Sequence, residues 1–479
     1  MNANRTVYLV IGYLLIALAA GMLIPLLVDV AAGYAEWKSF LISAGVTGFV
    51  AISILLINQG ELPPLSLRQA FLLTSLSWIA LTAFAALPLA HSQSPLSYTD
   101  AFFEAMSGLT TTGATVMTGL DEVSPGVLLW RAMLQWFGGI GIVVMAIAVM
   151  PMLNVGGMQI FRTETSDTSE KILPKAQQVA GSVMRIYLGL SFICGAFYFA
   201  AGMSPLDAII HAMTTMSTGG FSSHDASFGY FDSKLMSWIA ICFMILSTLP
   251  FVSYIQFLRG RHQTLLMDSQ VRTYLILCLA AVAILAFVNS DTTSFTDTAF
   301  NAISILSGTG YATTDYGSWG SVSIAIFFVL MFLGGCAGST ACGLKIFRVQ
   351  VALLTCWRYV QQLAVPNAIF ILRYNGRKLS DAVAQSVTAF ILVFFASYII
   401  LSMVLSLSGL DTLTALSAAA ATLANVGPGL GEIVGPTGNY TSLSDPVKWL
   451  LSISMLLGRL EFMSIFVLFA PSFWRTSTA

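Results

Sequence analysis

Short stretches rich in glycine and threonine interrupt the apolar sequence of this chain. The first, SGLTTTGAT at residues 107–115, lies between two apolar runs that are each long enough to cross a bilayer. Irregular backbone at membrane depth is tolerated only where it is buried in protein or lines a water-filled cavity. The carbonyl oxygens of such a loop can replace the hydration shell of a monovalent cation, and glycine allows the backbone angles that point them at one axis. The stretch therefore predicts a loop whose carbonyl oxygens line a path for monovalent cations.

The same pattern occurs four times in the chain. In every copy, a residue typical of a helix start precedes a glycine by 13 positions: Asp100 and Gly113, Asp207 and Gly220, Asp297 and Gly310, Thr414 and Gly427. The helical turns between them are too few to cross the hydrocarbon core of a bilayer. We therefore expect four half-helices, with Asp100, Asp207 and Asp297 as N-caps. Their C-terminal ends carry partial negative charge, which favours cations.

The composition is that of an integral membrane protein. Hydrophobic residues make up 57% of the 479 residues and charged residues only 9%, so the chain could not cover itself with polar surface in water. A net charge of -1 gives no basic surface for a nucleic acid. Ten apolar runs are long enough to span a bilayer. They are residues 7–30, 38–58, 69–90, 126–150, 183–202, 235–258, 272–289, 320–360 with an interruption, 382–408 and 446–470.

Charge in the connections between these runs predicts their orientation. Basic residues gather in alternate connections, which places those connections and both termini in the cytoplasm. They are Arg162, Lys171, Lys175 and Arg185, then Arg259, Arg261 and Arg272, then those from Lys345 to Lys378, and finally Arg475. The first apolar run contains a signal-like Ala17-Leu18-Ala19, but it continues past this point, and we expect it to be a retained spanning helix.

At the four copies, the sequence resembles the TrkH/KtrB/HKT superfamily of potassium transporters. The resemblance extends from about Leu67 to Ala470, and the extra helix pair at 7–58 is more similar to TrkH than to the shorter KtrB. It implies an all-α integral membrane protein of about ten transmembrane helices, with four pseudo-symmetric M1-P-M2 repeats around one ion pore. The expected divisions are an N-terminal two-helix extension at 1–66 and pore repeats at 67–156, 157–260, 261–379 and 380–479.

The resemblance also implies one filter glycine in each repeat. Carried over to this sequence, the K⁺ filter is Thr111, Thr112 and Gly113; Thr218, Gly219 and Gly220; Thr309 and Gly310; and Asn425, Val426 and Gly427. No copy has the full TVGYG signature of tetrameric K⁺ channels, so we expect one or two ion sites and modest selectivity against Na⁺. Pro428 follows the fourth glycine, so we expect Gly427 to tolerate substitution best.

A glycine-rich stretch, GGCAGSTACG at residues 334–343, interrupts the eighth apolar run. Each interior glycine costs a helix about 1 kcal/mol relative to alanine. The resemblance implies an intramembrane gate beneath the filter, and the alternative is a site of close helix packing. The expected gating residues are Gly334, Gly335, Gly338, Ser339, Thr340, Gly343, Lys345 and Arg459. A phosphate-binding loop is excluded because Lys345 is one place late and Ile346 replaces the required Ser or Thr.

Arg459 lies within the last apolar run. An arginine at mid-membrane costs about 2.5–3.5 kcal/mol on insertion scales, and such residues usually face the interior of the bundle or a cavity. The functional interpretation is a charge near the ion path that contacts the glycine-rich stretch. The alternative is a structural arginine paired with Glu461.

The remaining candidate residues do not predict an enzyme active site or a bound cofactor. His91, His211, His224 and His262 have no ligand spacing, and the six cysteines have no CxxC pairs, so we expect neutral histidines and free thiols. The sequence has no Ser/His, paired-Asp or HExxH arrangement and no defensible nucleotide motif, so an organic cofactor is not expected.

The sequence therefore predicts gated, channel-like K⁺ uptake across a bacterial cytoplasmic membrane. The alternative is a symporter of K⁺ with H⁺ or Na⁺ on the same fold. Glu104 and Glu461 are the only carboxylates in apolar stretches near the pore units, which offers little for proton coupling. The resemblance further implies a homodimer in membrane lipid, regulated by a cytosolic nucleotide-binding subunit of the TrkA type, with no nucleic-acid partner.

Overall fold

The apolar runs form helices, and the four polar stretches lie between them as loops. The computed structural model describes residues 4–60, 66–92, 96–148, 172–261 and 263–474. Within these ranges, seven helical segments are long and apolar enough to cross a membrane: Arg5–Ala32, Trp37–Ile57, Arg68–Ala90, Pro125–Met145, Gln178–Ala200, Ser269–Val288 and Asp381–Leu407. The chain is therefore a multi-pass membrane protein.

Some of these segments consist of two helices or belong to a longer one. The first is Arg5–Gly21 followed by Leu23–Ala32, and the third is Leu67–Ala85 followed by Leu87–Ala90. The helices that contain the fourth and fifth segments are Pro125–Ala148 and Ile172–Ala200. Short helices also occur at Gln263–Met267 and Pro471–Trp474, and single 3-10 turns at Leu120–Glu122, Ser227–Phe231 and Tyr316–Ser318.

Two further spans are sharply bent, whereas the sequence predicted them to be continuous. The helices and the angles between them are Lys234–Ser247 and Phe251–Leu258 at 92°, and Asp445–Arg459 and Phe462–Phe469 at 113°. Pro250 lies at the first bend, where its missing N–H prevents the helix from continuing. Glu461 lies at the second, in a left-handed conformation with φ of 65°. Arg459 is therefore the last residue of its helix and does not lie inside a straight span.

The eighth predicted span is divided in two. Ser321–Phe332 is a short apolar helix, and Ile346–Ala364 begins after the glycine-rich stretch, which we call the gate loop (residues 334–343). A hairpin of two-residue strands follows, with Arg373–Tyr374 paired antiparallel to Arg377–Lys378. The hairpin turn is Asn375-Gly376, and both residues have positive φ, as a type I′ turn requires.

The four predicted half-helices are present as separate short helices. Half-helices 1 to 4 are Tyr98–Leu109, Pro205–Met216, Phe295–Ser307 and Thr412–Leu423. Their N-caps are Ser97, Ser204, Ser294 and Asp411, whose side chains each accept a hydrogen bond from the third residue of the helix. The prediction that Asp100, Asp207 and Asp297 are the caps is wrong. They occupy that third position, where their charge also suits the positive end of the helix.

A few predictions fall on residues that are not described. Arg162, Lys171, His262 and Arg475 lie outside the described residues, as does the expected boundary between residues 156 and 157. The six cysteines are all free thiols, as expected, and Cys242 and Cys356 are exposed.

Candidate functional site

The four loops after the half-helices meet in a closed ring. We call residues 111–113, 218–220, 308–310 and 425–427 filter loops 1 to 4. A methyl group added to the glycine that ends each loop would lie less than 3.0 Å from a backbone carbonyl oxygen of the next loop. These contacts run from Gly113 to Gly219, from Gly220 to Thr309, from Gly310 to Val426 and from Gly427 back to Thr112. Four carbonyl groups, one from each repeat, therefore encircle one position.

The backbone of the filter loops has the same handedness in every repeat. The first and last residues of each loop have positive φ, and the middle residue does not. The first residues are Thr111, Thr218, Gly308 and Asn425, with φ of 52°, 53°, 75° and 52°. Sequence reasoning missed Gly308, although counting back two positions from Gly310 would have found it. All eleven predicted filter residues lie in these loops.

A polar contact supports each filter loop from its own half-helix. The residue seven positions after the serine cap in half-helices 1 to 3 binds the chain just beyond the filter glycine. Val116 N donates to Glu104 at 2.9 Å, Thr313 N donates to Asn301 at 3.2 Å, and His211 Nε2 lies 3.0 Å from Ser222 Oγ. In half-helix 4, Ser417 Oγ accepts from Leu430 N at 2.9 Å. The His211 Nδ1 atom also lies 2.9 Å from the Asp207 carbonyl.

A buried ion pair joins half-helix 1 to the chain that follows filter loops 1 and 2. Arg131 Nε donates to Glu104 Oε1 at 2.8 Å, and both side chains are almost fully buried. Its Nη1 donates to the carbonyl of Ser222 at 3.0 Å, and its Nη2 donates to Thr115 Oγ1 at 3.2 Å. Arg131 was not among the predicted site residues, although a lone arginine within the apolar run 126–150 was a signal for it.

We expect Arg131→Met to destabilise the protein by about 3–5 kcal/mol, because the substitution leaves Glu104 charged and buried without its partner. The midpoint of thermal unfolding in detergent measures the effect. Arg185→Met is the matched control, since Arg185 is exposed and donates to the Gly181 carbonyl and to Ser182 Oγ, both within its own helix. Equal midpoints for the two variants would contradict the structural role of the pair.

A vestibule of about 240 Å³ opens where the chain continues past the filter glycines, on the side where half-helix 2 begins. The four filter glycines line it together with the chain that follows each loop, including His224. His224 lies between Asp121 and Asp207, with its Nδ1 2.5 Å from Asp121 and its Nε2 3.4 Å from Asp207. Burial lowers the pKa of His224, but the hydrogen bonds to Asp207 and Asp121 outweigh it and raise the pKa above the usual value. The carboxylates of Asp121 and Asp207 therefore lie beside the vestibule, next to the filter.

The gate loop lies against the other side of the filter. Cys342 Sγ is 3.6 Å from Thr111 Oγ1 of filter loop 1. The ends of the loop are closed where Gly334 N donates to the Leu344 carbonyl at 3.0 Å. A methyl group on Gly334 would overlap the Cys342 carbonyl, so only glycine fits there. Lys345 closes the same end through a hydrogen bond to the Ala341 carbonyl.

The gate loop is anchored on the bend of the second repeat. Its backbone binds the groups that the bend at Pro250 leaves without helical partners: Cys336 N donates to the Thr248 carbonyl, and the Gly338 carbonyl accepts from Phe251 N, both at 3.0 Å. Thr340 Oγ1 donates to the Ser247 carbonyl at 3.0 Å. The loop is thus ordered and has its own hydrogen-bond partners on the second repeat.

Arg459 holds the gate loop from the opposite side. Its Nη1 donates to the Thr340 carbonyl at 3.2 Å and contacts Cys342 Sγ at 2.6 Å. Its Nη2 donates to the Gly138 carbonyl of the first repeat at 3.3 Å. The alternative pairing of Arg459 with Glu461 is wrong, because Glu461 forms a buried ion pair with Arg348. Arg459, a side chain of the fourth repeat, therefore connects the gate loop of the third repeat to the first repeat.

Known proteins share both the sequence and this architecture. The family model described as TrkH, cation transport protein, matches residues 41–476. The chain belongs to the TrkH family. It is 44% identical over 474 residues to the Trk system potassium uptake protein TrkI of Halomonas elongata, which covers 97% of this chain and 96% of that protein. It is 35% identical over 486 residues to the TrkH protein of Escherichia coli, covering 98% of this chain and 99% of that protein.

A solved structure of the TrkH family has the same fold. The crystal structure of the potassium transporter TrkH from Vibrio parahaemolyticus superimposes with a TM-score of 0.90 at 33% sequence identity. The match covers 99% of this chain and 100% of that one. The chain thus has a TrkH-type fold over nearly its full length.

Proposed function

We propose that this chain takes up K⁺ through a gated pore, with filter loops 1 to 4 as the selective element. The observation that carries the proposal is the closed ring of Thr112, Gly219, Thr309 and Val426 carbonyls, each beside a glycine of the preceding loop. Carbonyl oxygens at such a position replace the hydration shell of a monovalent cation. The C-terminal ends of four half-helices point at the same position and favour positive charge. Potassium is the transported ion, as the names of the relatives suggest.

The transport is passive and channel-like in this proposal. Both carboxylates that lie in apolar stretches near the pore units are engaged, since Glu104 pairs with Arg131 and Glu461 pairs with Arg348. A proton carrier must exchange its proton with water during each cycle, and a buried ion pair opposes this because the unpaired partner would be left charged. The alternative symporter would need another acid in the pathway.

Purified protein in liposomes separates the two mechanisms. With a K⁺ gradient in place, we expect the current to reverse at the K⁺ equilibrium potential, whether or not a proton or Na⁺ gradient is imposed. Replacement of K⁺ by Rb⁺, Na⁺ and Li⁺ in the same assay gives the selectivity. A reversal potential that moves with the proton or Na⁺ gradient would establish the symporter instead.

The remaining parts of the proposal concern the assembly. We place the protein in the bacterial cytoplasmic membrane, with both termini and the hairpin at Arg373–Lys378 on the cytoplasmic side, in agreement with the excess of basic residues there. We further propose that the chain forms a homodimer and associates with a cytosolic nucleotide-binding subunit of the TrkA type. Because this chain has no nucleotide motif, any effect of nucleotides on flux should vanish when the membrane subunit is assayed alone.

A further inference from the structure

One of the four ring carbonyls has a side-chain hydrogen-bond donor. Gln135 lies in the helix Pro125–Ala148 of the first repeat and is fully buried. Its Nε2 donates to the Gly219 carbonyl at 2.6 Å, and its Oε1 accepts from Phe221 N at 3.0 Å. The side-chain amide thus pairs with filter loop 2 much as a neighbouring strand would, on both sides of Gly220.

The other three ring carbonyls have no such partner. Within the part of the chain that the structure describes, no side chain donates to the carbonyls of Thr112, Thr309 or Val426. The four ring carbonyls therefore occupy equivalent positions, but they differ in whether a side chain donates a hydrogen bond to them. One oxygen shares its electron density with an amide proton, and three do not.

The sequence of filter loop 2 fits this contact. Filter loops 1, 3 and 4 carry Thr112, Thr309 and Val426 in the middle position, whereas loop 2 carries Gly219. A methyl group on Gly219 would lie less than 3.0 Å from Gln135 Cδ, so the glutamine fills the space that a side chain takes in the other loops. The side chain of Gln135 and the lack of a side chain at Gly219 are therefore sterically complementary.

The same face of the helix fixes the rest of the loop. Arg131 lies one helical turn before Gln135 and donates to the Ser222 carbonyl at 3.0 Å. Two buried side chains of the first repeat thus hold residues 219–222 of the second. The peptide of Gly219 cannot rotate without breaking the Gln135 contact.

We propose that Gln135 determines ion selectivity by positioning and weakening the Gly219 carbonyl. The proposal rests on the function proposed above for the filter loops. Selectivity among monovalent cations depends on the number and field strength of the carbonyl dipoles around the ion. An oxygen that accepts an amide hydrogen bond offers a weaker field, which favours the larger, weakly hydrated K⁺ over Na⁺. Buried hydrogen bonds act strongly because the surroundings screen them little.

The first test is Gln135→Leu, which removes the donor and keeps a side chain of similar length. We expect K⁺ permeation to persist in liposomes and the K⁺/Na⁺ permeability ratio to fall about three- to tenfold, the range that corresponds to one net hydrogen bond. Gln270→Leu is the matched control, because Gln270 is also buried but accepts from Ala337 N of the gate loop at 2.9 Å. The control should leave the permeability ratio unchanged.

A second variant covers the case in which Gln135→Leu does not fold. In the double substitution Gln135→Ala with Gly219→Thr, filter loop 2 acquires the side chain of loops 1 and 3 in the space that the glutamine leaves. We expect this variant to fold, to conduct K⁺ and to show the lowered ratio, whereas Gly219→Thr alone should fail to assemble.

Two results would overturn the proposal. One is an unaltered ratio in either folded variant, and the other is an equal fall of the ratio in Gln270→Leu. These outcomes differ from a failure of the proposed function, in which the unaltered protein itself would not conduct K⁺ in the same liposomes.

Discussion

Gly220→Ser is expected to abolish selective K⁺ uptake. Of the four filter glycines, Gly220 leaves the least room, because an added Cβ would overlap the Thr309 carbonyl of the neighbouring loop. Its φ of 77° is also strained for any residue with a side chain. The substitution must therefore displace carbonyls from the ring. Rb⁺ and Na⁺ fluxes in liposomes, with expression checked in the membrane, measure the loss.

Gly119→Ser is the matched control for this variant. Gly119 also has positive φ, at 70°, but nothing lies within 4 Å of the position that its Cβ would take. We expect this control to keep its selectivity. Gly113→Ser and Gly310→Ser should weaken discrimination between K⁺ and Na⁺. Gly427, where the overlap is smallest at 2.5 Å, should be the most tolerant. Unchanged permeability ratios in Gly220→Ser would remove these loops from the filter.

Arg459→Ala is expected to raise basal flux roughly tenfold or more without changing selectivity. The substitution removes the contacts to Thr340, Cys342 and Gly138, and it also removes a positive charge that a permeating cation meets below the filter. A unit charge a few ångströms away in a poorly screened interior is worth several kcal/mol, and 1.4 kcal/mol of barrier is a factor of ten in rate. The filter carbonyls lie at a different depth in the pore, so the substitution leaves them unchanged.

Deletion of residues 336–341 tests the same gate without changing a charge. The deletion joins Gly335 to Cys342, and the two ends already lie close together because a methyl group on Gly334 would overlap the Cys342 carbonyl, so the shortened chain can close between the helices Ser321–Phe332 and Ile346–Ala364. We expect high flux with an unchanged K⁺/Na⁺ ratio. Arg459→Lys is the conservative comparison and should raise flux least. If both the deletion and Arg459→Ala reach the membrane and conduct at or below the unaltered level, the gate loop is only a packing element.

The half-helices could be predicted from the sequence because their apolar length and the constant interval to the filter glycine are local properties. Their caps were assigned wrongly for an equally local reason. Serine and aspartate both suit the first turn of a helix, and Ser97 and Asp100 bind each other there. The backbone angles show that the serine is the cap. The bend at Pro250 was also available in the sequence, since proline ends helices.

The contacts around the filter could not be predicted in the same way. Gln135 and Gly219 are distant in sequence, and neither residue indicates the other by type or spacing. The partner of Glu461 is equally hidden in the sequence, because Arg348 lies 113 positions away from it. Side-chain pairs between repeats depend on the packing of the whole bundle, which a single sequence does not record.

The gate loop is a single segment of one repeat, and this has a consequence for the kinetics of opening. A channel built from four identical subunits has four equivalent gates, which can open separately and give intermediate conductance levels. In the pore that we propose, a single segment from the third repeat closes the path, and it is held by the bend of the second repeat and by Arg459 of the fourth. Its displacement is one event with one barrier. Single-molecule current traces should therefore switch between two levels, and the dwell time in the closed level should follow a single exponential.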